Sequence, residues 1–199
     1  MNRSSPVKTS TSEDMALILL GILVLAAQVF ADCPEKSALG DFDTSAFLGT
    51  WHTVKTNAPS SLLGRSNAKC LHNVLTQEGD KLNSLTMFYN KTSSEYQSMS
   101  GVLTKEDAAS SDAKFTLSRA GQTSAGNGKY YILDTDYTNY AVAWLCLTRD
   151  SKNYELTAVL SRARTLSAAS EIEVNKVLPT GDYSLTDQTA CPDHEHHSH

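Results

Sequence analysis

Four cysteines and six histidines are the residues of this chain best suited to covalent or metal chemistry. Four of the histidines, His194, His196, His197 and His199, fall in the last six positions, beside Asp193 and Glu195. Imidazoles at this density can hold Zn²⁺, Cu²⁺ or Ni²⁺. Ordering a loose tail costs ~1–2 kcal/mol per residue, so residues 193–199 read first as a solvated tail and only second as a weak metal site. The remaining histidines, His52 and His72, have no sequence neighbours that suggest a catalytic triad. The cysteines are Cys33, Cys70, Cys146 and Cys191. An even number in an exported chain reads as two disulfides. Four thiols allow three pairings, and spacing alone does not choose among them.

Export itself is legible. Residues 16–27 are apolar apart from Gly21, follow Arg3 and Lys8, and lead to Val29-Phe30-Ala31. This pattern predicts a secretory signal over residues 1–31, cleaved after Ala31, with Met15 as a second possible start. The run falls short of the ~20 residues needed to span a bilayer, so no stable membrane insertion is expected. Residues 32–192 then suit one domain. The net charge is -5. Arg3, Lys8, Glu13 and Asp14 cancel, so the mature chain stays mildly acidic. No basic stripe is present to attract nucleic acid. Asn90-Lys91-Thr92 is an acceptor sequon for glycosylation in an exported protein.

The elements that would position these residues are mostly strands. Eight are predicted, over approximately 50–58, 69–77, 81–89, 95–103, 113–119, 129–134, 139–148 and 153–161. Polar turns such as Glu78-Gly79-Asp80 and Gly126-Asn127-Gly128 separate them. One helix follows, capped by Ser167, with Glu171 and Glu173 in its early turns. Its apolar stripe runs through Leu166, Ser170, Val174, Val177 and Leu178, and Pro179 and Gly181 end it. A last short strand is expected at 183–185. Eight antiparallel strands can close into a barrel without a free edge, wide enough for side chains or one small ligand. An ordinary β-sandwich has a similar strand count, but the order of eight strands and then a helix favours the barrel. Strand parity puts Leu75, Met87, Met99, Phe115, Tyr131, Trp144, Leu156 and Ala158 inside, as candidate ligand contacts. The aromatic residues could stack on a flat conjugated molecule. His52, next to an inward Trp51, should face outward.

Three groups of residues carry a family resemblance. Gly49-Thr50-Trp51 opens the first strand and Arg162 follows the eighth. Thr135-Asp136-Tyr137-Thr138-Asn139-Tyr140-Ala141 lies between the sixth and seventh, with Cys146 five residues on. Thr186-Asp187-Gln188, then Cys191-Pro192, adds a weaker echo. The mature chain resembles the lipocalin family, in its apolipoprotein D and bilin-binding, insecticyanin-like branch. The resemblance implies an all-β, eight-stranded antiparallel up-and-down barrel with one C-terminal α-helix packed outside. It makes Gly49, Trp51, Thr135, Asp136, Tyr137 and Arg162 a structural signature, with Arg162 lying across the Trp51 indole at the barrel floor. It implies the pairings Cys33–Cys146 and Cys70–Cys191, which leave no thiol free for catalysis; an enzyme is not expected. The implied function is carriage or sequestration of a small hydrophobic ligand, with no covalent cofactor. Biliverdin leads, followed by retinoids, carotenoids, sterols and fatty acids. The alternative is an extracellular interaction or inhibitor protein that works through its loops, such as Ser60–Lys69.

Overall fold

The computed structural model describes residues 33–59, 67–119, 128–149 and 152–193. The expected signal segment, most of the Ser60–Lys69 loop and the tail histidines lie outside the described residues. Eight long strands are present: β1 (Gly49–Thr56), β2 (Ala68–Glu78), β3 (Lys81–Asn90), β4 (Glu95–Lys105), β5 (Lys114–Arg119), β6 (Gly128–Thr135), β7 (Tyr140–Arg149) and β8 (Lys152–Ser161). Before β1 comes a short helix, α1 (Thr44–Phe47); after β8 come α2 (Ala168–Val177) and β9 (Ser184–Leu185).

Each strand from β2 to β7 pairs antiparallel with its successor, and β1 pairs with both β8 and β2. The sheet therefore closes on itself, as the strand count and order predicted. One edge of β1 is given to β8; the other pairs with β2 over Gly49–His52 and with β9 over Lys55 and Thr56. Gly49 takes φ +94°, a conformation that side chains disfavour, where the incoming chain turns into β1.

Two flanking segments fasten to the wall. The N-terminal segment hydrogen-bonds through Leu39 to Ile132 and Ala113, and Cys33 is bonded to Cys146 of β7. Glu35 pairs with Lys129 and Lys114, and Lys36 with Glu155. The C-terminal segment crosses β1 and β2: Thr186 N donates to the Val54 carbonyl and Cys70 N donates to that of Asp187. Cys191 is bonded to Cys70. Both disulfides have the pairing the resemblance implied.

Helix α2 packs on the outside. Ser167 caps it by accepting from Ser170 N. Val174 is buried with Val54, Tyr140, Val142 and Val159, and Leu166 and Leu178 pack at the margin. Val177 departs from the predicted stripe and is 38% exposed. Short α1 was not predicted, although Asp43 caps it by accepting from Ser45 N and Ala46 N.

Candidate functional site

The barrel is filled at one end and hollow above. At the filled end Trp51 is fully buried and its indole N–H donates to the Phe47 carbonyl at 2.8 Å. The Arg162 guanidinium lies 3.8 Å from the centre of the Trp51 ring. Arg162 also donates to three carbonyls, those of Tyr137 (3.1 Å), Thr50 (3.1 Å) and Ala46 (3.0 Å). A planar cation with hydrogen atoms at its rim can stack on an indole and reach three acceptors at once. Phe42, Phe47 and Phe115 complete an aromatic layer, with Phe42 meeting the other two rings edge-on.

The Thr135–Tyr140 turn braces this floor. Asp136 accepts from the backbone N–H groups of Thr138, Asn139 and Tyr140 and from the Asn139 amide. Desolvation raises the Asp136 pKa, but these four donors outweigh it and hold the carboxyl below its usual range. Tyr137, at φ +64°, turns its hydroxyl to accept from Asp43 N at the entry to α1. Trp51, Arg162 and Tyr137 thus meet at the filled end of the barrel.

Above the plug lies a cavity. A water-sized sphere fits within about 90 Å³ of it, inside about 800 Å³ of free space that continues into solvent. Each of β1 to β8 contributes. Leu103, Leu117, Leu145 and Leu156 make apolar walls, while Thr53, Asn73, Ser84 and Thr86 supply polar groups. Thr86 donates to Asn73 Oδ1 at 2.6 Å.

Of the eight residues assigned to the interior by parity, Met99, Leu156 and Ala158 line this cavity. Leu75 and Phe115 are buried in the apolar cluster that includes the floor residues Phe42, Phe47 and Trp51. Met87, Tyr131 and Trp144 do not line the cavity. On β3 the lining positions are Ser84 and Thr86, on β6 Tyr130, and on β7 Ala143, Leu145 and Leu147. Tyr131 and Trp144 instead pack with Cys146, Cys33 and Ala38, under the N-terminal segment. That cover makes the outer face of β6 and β7 apolar, so hydrophobicity there does not mark the interior. Arg119 lines the cavity and was missed; continuing the alternation of Phe115 and Leu117 along β5 would have found it.

His52 is directed away from the lining, yet it is not a free surface residue. It is half-buried, its Nδ1 has no hydrogen-bond partner among the described residues, and its ring lies 5.7 Å from that of His72. Burial first, then the charges of Arg164 and His72, pushes its pKa down to about 4. Asn90, the sequon residue, accepts from Thr92 N and Ser93 N at the β3–β4 turn. Among the described residues no group of three His, Cys, Asp or Glu gathers to hold a metal.

A closed barrel, plugged at one end and hollow above the plug, defines a cup-shaped small-molecule binding protein. Residues 48–179 match the Lipocalin / cytosolic fatty-acid binding protein family, and the chain belongs to that family. It is 25% identical to the Lazarillo protein of Schistocerca americana over 190 residues, which is 91% of this chain and 86% of that one. The fold is similar to that of insecticyanin from Manduca sexta, with TM-score 0.65 and 24% identity, covering 79% of this chain and 87% of the other. It is also similar to the tryptamine complex of the amine binding protein of Rhodnius prolixus, with TM-score 0.62, 20% identity, and 74% and 80% covered. The two structural likenesses establish the fold alone.

Proposed function

We propose that the chain is a secreted carrier that holds a small apolar molecule in its barrel cavity, with a biliverdin-type pigment as the leading ligand. Retinoids, carotenoids, sterols and fatty acids follow. The observation that carries this reading is the hollow above the plug, walled by leucines and Met99 and dotted with Ser and Thr. Apolar walls supply burial, at ~25 cal/mol per Å² before entropy losses, and scattered polar groups orient the guest. The pigment reading rests on resemblance to the bilin-binding branch. Met99, on the cavity wall, has a thioether chain that adapts readily to an irregular guest.

Secretion is supported by the two disulfides, which persist in oxidising compartments. The same bonds occupy all four cysteines, which removes the thiol nucleophile and supports binding rather than catalysis. Asn90 carries an N-linked glycan in this reading. The test is absorbance and mass spectrometry of an organic extract of protein purified from its natural source. A red-absorbing band with a tetrapyrrole mass supports the pigment, and another apolar mass supports carriage with a different guest. Protein that releases no small molecule contradicts carriage.

A further inference from the structure

We infer that the cavity selects an apolar molecule bearing a carboxylate, and that Arg119 receives this group. The inference rests on the carrier reading and names the chemical class of its guest. Arg119 ends β5 in register with Gly101 of β4, and both residues line the cavity. Phe115, Leu117 and Arg119 alternate along one strand: Phe115 lies in the packed cluster, Leu117 lines the wall, and Arg119 comes last, farthest from the floor.

Among the described residues, the polar partner of Arg119 is the Met99 sulfur, 3.5 Å from Nη1. A thioether is a weak acceptor, and a guanidinium has five donors to satisfy. Among the described residues no Asp or Glu lines the cavity. Arg119 is only partly exposed, and desolvation lowers its pKa. It still cannot shed its proton at any ordinary pH. Among the described residues the cavity therefore holds a permanent cation without a carboxylate counterpart. A carboxylate offers the paired geometry that a guanidinium fits, through two parallel charge-assisted hydrogen bonds. An ammonium guest meets repulsion at the same place, in a site whose low dielectric magnifies it.

Fatty acids, retinoic acid and the propionates of a bilin share this head group. Isothermal titration with dodecanoic acid, 1-dodecanol and dodecylamine isolates the head group at constant tail length. Pairing retinoic acid with retinol, and biliverdin with its dimethyl ester, identifies which tail brings the carboxylate. The expected result is an acid bound ~10-fold or more tighter than its neutral partner, the factor supplied by a charged hydrogen bond, with the amine weakest. Arg119→Gln abolishes that preference, with far-ultraviolet circular dichroism showing the variant folded; Arg119→Lys keeps part of it. Equal affinity for acid and alcohol, or an acid preference that survives Arg119→Gln, overturns this inference and leaves carriage standing. No binding of any of these probes removes the carrier reading and this inference together.

Discussion

Arg162 joins three pieces of chain at the floor. It donates to Ala46 in α1, Thr50 in β1 and Tyr137 in the β6–β7 turn while covering the Trp51 ring. Replacing Arg162 with Leu removes these contacts together. Net hydrogen-bond and cation–π contributions put the loss at ~2–4 kcal/mol, read as a lower urea midpoint. Arg162→Lys restores only a small part of it, because an ammonium cannot stack on the indole and bridge three carbonyls simultaneously. His52 gives a pH prediction. Its folded pKa of about 4 lies below its ordinary value of 6.5, so between those values the unfolded chain binds a proton that the folded chain refuses. Its contribution to stability is intact above pH 6.5 and falls away as the pH drops toward 4. His52→Phe should flatten that part of the acid limb, seen as a smaller fall in urea midpoint between pH 7 and pH 4.5. An unchanged slope would contradict this assignment.

The two flanking segments act as straps, and the C-terminal one is the more densely bonded. Gln188 donates to the Thr53 and Leu71 carbonyls, which belong to adjacent strands. Lys69 donates to the Ala190 carbonyl and Tyr96 to that of Pro192. The Cys70–Cys191 bond spans 121 residues of sequence. Converting both cysteines to Ala should lower stability by ~2–5 kcal/mol, the usual range for a native disulfide. It should also speed amide hydrogen exchange at Thr186 and Cys70, whose N–H groups bridge strap and wall. Exchange unchanged at these two amides would mean that the strap holds without its covalent tie. The same straps explain what was legible in the sequence. Strand limits fell within about two residues of those found, because Gly, Asp and Asn punctuate the turns. Trp51 and Arg162 were legible because their types and places form a motif. Interior parity failed on β3, β6 and β7. On β6 and β7 the N-terminal strap gives the outer face apolar neighbours, so both faces read as core. The Asp43 cap before α1 was present in the sequence, but one helical turn is too short for periodicity to reveal.

At the scale of the molecule, the barrel divides its interior between a plug that stabilises and a hollow that binds. The division follows from side-chain size along each strand. On β1 a buried tryptophan gives way to Thr53 and Thr56, and on β7 and β8 the opposed pair Ala143 and Ala158 leaves room between larger leucines. A guest in that room binds the folded chain and not the unfolded one, so it should raise the melting temperature with the logarithm of ligand excess. The measurement that tests carriage most directly compares biliverdin and retinoic acid titrations of the native chain with those of Ala158→Phe, in which a ring fills the hollow. Overpacking costs ~1–3 kcal/mol, so far-ultraviolet circular dichroism must first show the variant folded. Saturable binding by the native chain, lost or weakened ~10-fold or more in the folded variant through steric exclusion from the cavity, is the predicted result. Equal binding by both proteins would place the guest outside the barrel and contradict the account.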